Sequence, residues 1–565
     1  MITRGQNFQQ IPLNVVGSST FGRYPKISVE KTYNMFISDN FLVDYAGYEI
    51  IIPARLLGNG KEGRGIFTST KLGSLVVVIS NQVYLVNINY DQVLNKPTYE
   101  QIFNIGQVET FSGPVYITEN NKPQILISDN RNLYIYDPNS DVKTVKIVPN
   151  LDFTPGYITF HDSYFIAAAS NDTGSGTGVV QNNTWRLSLQ NEGYVNPDDP
   201  DDPTMNAWPY AFGNVGLLQT KPDNVQAVVR FPSKGNMIFV MGSIVTESWF
   251  DTGAQQFPYQ RQNQYNIDYG CLSPASVAYM DEIVVWLAAN EKSGPIIMYS
   301  DGGMPKKITT DGIDQLFSEL QKPEDSQGFL YRQDGHLIYH INFYYDNLSL
   351  FYDFPSPGNG EVGRFYHACD QNMNYFIAAE IAFIQNQYYF VSKNSGNLYA
   401  FDTAFTTYED VVATNTTTTA KFIIPRLRIC KNIRLPSQEP FILNDIGFTI
   451  ESGETPYYQQ NGTSTPIPWE LLSNEPFYLL SNEQFNLLDE TENLFQETPK
   501  VCFSMSYDGG AVFGSEWAYQ LPGVGYRRNL MRWWQGGWGN DFVPMFKFVG
   551  CGRFVVTDGV VNIRY

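Results

Sequence analysis

Four histidines, five cysteines and two clusters of charge are the residues of this chain whose types and spacing could do chemistry. His336 and His340 lie four apart, a spacing that would offer two imidazoles to one metal on a helix. Their context, DGHLIYHI, reads instead as a strand, where even spacing merely puts both on one sheet face; with His161 and His367 they are expected to be structural. Cys271, Cys369, Cys430, Cys502 and Cys551 show no CxxC spacing, which points to reduced, buried thiols rather than a zinc site or a disulfide framework. Asp198-Asp199-Pro200-Asp201-Asp202-Pro203 places four carboxylates where Ca²⁺ could collect oxygen ligands, but the prolines break EF-hand spacing; a solvated loop in the 196–203 stretch is the alternative. Arg527, Arg528 and Arg532 beside Trp533 and Trp534 could stack on nucleic acid, or could serve packing and ion pairs with a partner. The net charge of −20 favours the second use, because an acidic body repels a phosphate backbone. No GxSxG, Walker A or strand–helix GxGxxG pattern occurs, so no catalytic residue, cofactor or metal is expected.

The elements that must position these residues are strands. At 565 residues the chain exceeds a usual domain of roughly 100–200 residues, so two domains or one large repeat architecture is expected. Aromatic residues make up 15% and charged residues 17%, a balance that suits many half-buried strands and wide contact surfaces. The N-terminus, MITRGQNFQQIPLN, has no apolar signal region, and no apolar run approaches the roughly 18 residues of a span; assembly in the cytoplasm is expected.

From Arg64-Gly65-Ile66-Phe67 onward a unit recurs: apolar strand, tight turn, second apolar strand, polar loop. Its instances are 75–79 with 83–86, 125–127 with 133–136, 157–160 with 164–167, 225–231 with 237–240, 277–280 with 283–287, 329–332 with 337–341 and 381–384 with 388–391. Most starts fall about 50 residues apart, the period of four-stranded propeller blades. The turns Asp129–Asn132, Asp334-Gly335 and Asn394–Asn397 supply residues that tolerate positive φ. The expected fold is all-β: an N-terminal segment over 1–60, a β-propeller of six or seven blades over 61–410, and a β-sandwich-like domain over 411–565. One short helix is expected at 313–320, capped by Thr310 or Asp311. The polar run 414–419 reads as a linker or an exposed strand edge. Within the last domain a Leu-Leu unit repeats three times over 470–493, which predicts a small meander whose second apolar face docks on a neighbouring chain or packs on its own domain.

Two stretches carry a family resemblance. In 229–288 a strand ending Gly242-Ser243 leads to Glu247, Trp249-Phe250 and Thr252-Gly253-Ala254, then a variable loop, Gly270 and a strand ending Trp286-Leu287-Ala288. Near the C-terminus stand Asp508-Gly509-Gly510, then Arg527, Arg528, Arg532 and Trp533, with two closing strands; WQGGW at 534–538 departs from the pattern locally. In this order they resemble the packaged-DNA stabilisation proteins of short-tailed bacteriophages, the tail hub or nozzle family. The resemblance implies a non-enzymatic virion tail subunit without cofactor. It would form a ring of its own copies, sixfold, and meet the portal or head-tail adaptor protein. It would close the channel on packaged DNA without sequence-specific binding and carry tail fibre, spike or needle proteins. Glu247, Trp249, Phe250, Asp508, Arg527, Arg528, Arg532 and Trp533 are then its structural or interface candidates. The rival readings are a sialidase-like propeller glycosidase and a protein-binding propeller scaffold. Ser506–Phe513 fits the Asp-box turn of sialidases, yet once and outside the propeller, and a glycosidase needs two acids roughly 5–9.5 Å apart in one pocket.

Overall fold

Each pair of strand signals closes as a hairpin, and the first four hairpins lie in four-stranded antiparallel sheets. The computed structural model describes residues 8–17, 29–91, 96–195, 206–211, 213–231, 234–254, 256–355, 363–412, 415–452, 466–468, 486–488, 499–521, 528–550 and 552–564. Strand accounts for 55% of the structure and helix for 4%, which makes the fold all-β. The chain divides into two compact units, one of residues 1–49, 369–373 and 403–565, the other of 50–368 and 374–402.

The second unit is a β-propeller whose blades number seven among the described residues. Their innermost strands are Gly63–Ser69, Tyr116–Glu119, Thr154–His161, Val225–Arg230, Ala278–Met280, Ser326–Gln333 and Ala378–Ile384. All seven repeat signals in the sequence therefore fall one to a blade. The last blade takes Gly47–Ile52 beside its Leu398–Asp402 strand, and residues 50–52 of that strand belong to this unit. The ring closes where the seventh blade meets the first. The Ile66 amide donates to Glu380 Oε2 at 3.1 Å, the Thr68 hydroxyl to the Phe383 carbonyl at 2.9 Å, and Lys393 pairs with Glu62 at 2.6 Å.

Alternation explains where the core lies. Successive side chains of a strand point to opposite sheet faces, and each blade is covered on both, so apolar residues at every position become inter-blade packing. Phe231, Phe239 and Trp286 bridge the fourth and fifth blades, with ring centroids 4.3 and 6.4 Å apart in turn. Each such side chain contributes on the order of 1.5–3 kcal/mol by its burial. Two of the three expected turns use positive φ: Asn130 has φ 64° in the loop 129–132, and Asp334 and Gly335 have φ 48° and 89°, values that a two-residue hairpin turn requires, whereas none of residues 394–397 has a positive φ. The helix spans Asp311–Ser318, two residues earlier at each end than expected. Thr310 stands at its N-cap without a side-chain bond, and Ile313 and Phe317 are buried, Phe317 against Phe343.

The other unit is a β-sandwich. One sheet runs Met35–Ser38, Phe41–Asp44, Phe554–Arg564, Phe441–Ser452 and Arg528–Gly539, with Phe8–Leu13 added to Phe554–Arg564. The facing strands are Lys31–Tyr33, Arg426–Ile429, Val543–Val549, Lys500–Ser506 and Trp517–Gln520. Phe448 and Trp533 from the first meet Phe503 and Phe546 from the second, with centroids 4.8 to 5.6 Å apart. The N-terminal strands thus group with the C-terminal ones through pairing. The polar run resolves as a strand, Asn415–Ile423, paired with Thr407–Val412. The Leu-Leu repeat lies outside the described residues except for Asn486–Leu488, which pairs with Pro466–Pro468; the acidic loop at 196–203 lies outside them as well.

Candidate functional site

Glu247 and Trp249 share one face of the strand Thr246–Asp251, two residues apart, and that face is closed by the neighbouring loop. Glu247 is fully buried, and its Oε1 accepts from the Gln219 amide at 2.9 Å and from the Thr220 amide and hydroxyl, each at 2.6 Å. Arg261 completes that side at 3.2 Å, while Oε2 accepts from the Trp249 indole N–H at 3.1 Å. Five partners for one carboxylate compensate its desolvation, and Trp249 packs edge-on to Trp185 at 5.4 Å. The Glu–x–aromatic signature is thus an internal clasp of the fourth blade. Phe250, next in sequence, points the other way and is half-buried against the core between the fourth and fifth blades.

The propeller axis holds a cavity of about 330 Å³. Arg64, Tyr116, Tyr157, Tyr279, Gln327 and Glu380 are among its lining residues. Arg64 is turned to the loops, donating to the carbonyls of Gly113, Ser80 and Thr110 at 2.6 to 2.8 Å and to the Thr110 hydroxyl at 2.7 Å. Glu380 sits at a bulge in the innermost strand of the seventh blade, between the registers of Ala378 and Glu380. Burial among protein atoms pushes its carboxyl up to about 8, with the Ile66 amide acting against that shift, although one side keeps partial access to the axial void. Tyr116 and Tyr157, 4.9 Å apart at their centroids, are driven far above the ordinary phenol value by the same desolvation. Near neutral pH the carboxyl and the phenols are therefore uncharged, which is the low-energy state of ionisable groups in a poorly solvated space. Among the described lining residues Glu380 is the one carboxylic acid, so the two-acid geometry of a glycosidase is not assembled there.

In the sandwich, Asp508 forms a self-contained turn. Its Oδ1 accepts from the Ser506 hydroxyl at 2.6 Å and from the Ala511 and Val512 amides at 3.1 and 3.0 Å, and these bonds hold its carboxyl below the usual range. Gly510 must be glycine: its φ is 94°, and a Cβ there would come within 2.3 Å of Val29. Arg528 is exposed at the start of its strand, Trp533 is buried in the sandwich core, and Arg527 lies outside the described residues. Arg532 pairs with Asp445 at 2.9 Å and lies over the Trp534 ring at 4.9 Å. The alternation of Arg532, Trp533 and Trp534 thus separates one inward indole from an outward pair. The sequence candidates fall into a blade clasp, a turn and a strand, and do not converge on one pocket.

Sequence reasoning missed the buried ion pairs. Arg186 is enclosed in the third blade with Asp172 at 3.2 Å and Asp152 at 2.7 Å, between the rings of Phe153 and Tyr210. Arg428 joins Glu30 at 2.5 Å and the Val15 carbonyl at 2.7 Å in the sandwich. Partners up to 413 residues apart leave no local signal. The four described cysteines are buried and outside any disulfide, and His336 and His340 serve separate partners, Asp353 and Asn342. Among the described residues no group of three or more His, Cys, Asp or Glu could hold a metal, and no helix is long and apolar enough to cross a membrane.

Strand order and ring closure define an all-β propeller protein. Residues 212–406, which span the fourth to seventh blades, match the family model described as Phage_stabilise, Bacteriophage P22 Gp10, beta-propeller. The resemblance read in the sequence is shown over that stretch, and the match supports a phage structural β-propeller protein. No curated protein matches the chain. Among solved structures, the N-terminal domain of Nup159 is 10% identical, with 66% of this chain and 98% of that one covered at a TM-score of 0.36. A catalytically inactive virginiamycin B lyase from Staphylococcus aureus with quinupristin is 9% identical, with 63% and 99% covered at a TM-score of 0.38. Scores this low carry no argument about function.

Proposed function

We propose that this chain is a structural subunit of a phage tail hub or nozzle. Copies of it form a ring, sixfold in this reading, below the portal or its adaptor, retain packaged DNA and offer a platform to fibres, spike or needle. The observation that carries the reading is the family match falling on four consecutive blades of a closed propeller. The charge of −20 supports a channel wall that lets DNA pass without holding it. In this reading the chain works as an opening segment, a propeller over 61–410 and a sandwich over 411–565. Glu247, Trp249, Phe250, Asp508, Arg532 and Trp533 keep the modules rigid, while Arg528 faces a neighbour. A hub that repeats one subunit around an axis uses heterologous interfaces, and abundant Tyr and Phe supply contact area.

The test is twofold. Native mass spectrometry of the purified chain, alone and with a portal complex, is expected to give a closed ring of six copies. Particles produced without the chain are expected to lose their DNA. A chain that stays monomeric with the portal complex, together with particles that keep DNA in its absence, would overturn the assignment.

A further inference from the structure

The sandwich sheet carries, on its solvent face, a row of side chains set directly opposite one another on four strands: Gln10, Asn562, Asp445 and Trp534. Directly opposed residues of antiparallel strands project to the same side, so register alone assembles this row from positions up to 552 residues apart. A groove of about 820 Å³ lies over it, rimmed further by Gln9, Asn444 and Gln535. The Leu443–Asp445 bulge breaks the register beside this row, and Gly536 there packs against the buried Leu443.

The chemistry of the lining is specific. Four carboxamides line it, from Gln10, Asn444, Gln535 and Asn562, and each carries donors and an acceptor side by side, whereas Gln9 opposes the buried Ile563 and projects to the other face. Its one carboxylate, Asp445, is already neutralised by Arg532 at 2.9 Å and accepts from Asn562 at 2.9 Å, so no net charge awaits an ion. Ile563 faces the core and is fully buried, so Trp534 is the one exposed apolar side chain of the lining, too little for the hydrophobic centre of a protein interface. Trp534 is 60% exposed, and Arg532 lies against its ring to hold it in place. Trp538, four residues further along the strand, is 69% exposed and has no ring partner among the described residues. Across the bulge the two indoles stand opposite Asp445 and Ile442, three residues apart, a span of roughly 10 Å at ~3.3 Å each. A ligand that touches both indoles is therefore a chain rather than a single ring.

From this we infer that the groove is a binding site for the neutral pyranose units of a polysaccharide. A sugar ring offers an apolar C–H face to stack on an exposed indole and vicinal hydroxyls to pair with carboxamides, which is the combination that the lining provides. The site is independent of the ring assembly proposed above, because it rests on the sandwich sheet alone.

The experiment is affinity electrophoresis of the full chain through native gels that contain dextran, glycogen, galactomannan or a soluble β-glucan, with free oligosaccharide as competitor. At least one of the four is expected to retard the chain, with competition by its own oligosaccharide. Trp534→Ala and Trp538→Ala should each weaken that retardation by roughly tenfold, as for an exposed aromatic hot spot. The double variant should abolish it while circular dichroism and the melting temperature stay unchanged. Absence of retardation by all four overturns the inference, as does a double variant retarded like the parent. Loss of self-association in the double variant with retardation intact would make this face a contact between copies, and equally overturns it.

Discussion

A carboxylate, a guanidinium and an indole meet twice in this molecule, and the two meetings differ in what covers them. In the fourth blade Glu247, Arg261 and Trp249 sit on neighbouring strands with the acid fully buried and the indole 7% exposed. In the sandwich Asp445, Arg532 and Trp534 sit on neighbouring strands as well, but the indole is 60% exposed and the arginine lies along its face. The blade trio fills the packing between blades and binds backbone amides, whereas in the sandwich trio the acid is buried but the indole and part of the arginine face solvent. Residue types on alternating strand positions are therefore no guide to role. What decides it is whether another layer of the fold covers that face.

The largest effect should come from uncovering the closed trio. Glu247→Ala leaves the Gln219 and Thr220 amides and Arg261 without their acceptor, and should cost about 3–5 kcal/mol, as when one partner of a buried pair is removed. Equilibrium urea denaturation measures it, and a loss below about 1 kcal/mol would mean that the clasp is not structural. The sharpest contrast is between the two indoles. Trp249→Ala should destabilise by about 3–5 kcal/mol, whereas Trp534→Ala should stay within about 0.5 kcal/mol. Equal losses would erase the comparison.

The axial carboxyl supplies a pH-dependent test. Glu380 rises from its ordinary 4.5 to about 8 in the folded chain, so the fold prefers the protonated form. The stability this gives is complete below 4.5 and is lost as pH rises to about 8, because the unfolded chain ionises first. Glu380→Gln, which keeps a neutral acceptor for the Ile66 amide, should flatten that decline. At ~1.4 kcal/mol per pH unit of difference, it should make the variant the more stable of the two at pH 8 by a few kcal/mol at most. Thermal unfolding of both proteins from pH 5 to 8 checks this, and parallel curves would refute it. The smallest effect belongs to Arg532→Ala. Partly exposed, its pair with Asp445 should contribute under about 1 kcal/mol, yet its removal should shift Trp534 fluorescence by releasing the ring.

Much of the fold was legible because it is periodic. The seven hairpin signals, the Asp334-Gly335 turn and the Ile313–Phe317 helix face are local patterns, fixed by alternation, by φ preference and by helical spacing. The Glu247-to-Ala254 signature was legible as a landmark, but not as the clasp that it forms, since Gln219, Thr220 and Arg261 come from other strands and loops. By itself the sequence determined an all-β chain with blade-length repeats, an acidic body, cysteines without CxxC spacing and a change of period after residue 405. Only the tertiary structure decided that Trp533 faces inward and Trp534 outward, that Arg186 and Arg428 find buried acids, and that Gln10 stands beside Asn562. The physical reason is the range of the forces involved. Backbone preference and hydrophobic alternation act over a few residues, whereas sheet register and the covering of a face are set by strands hundreds of residues apart.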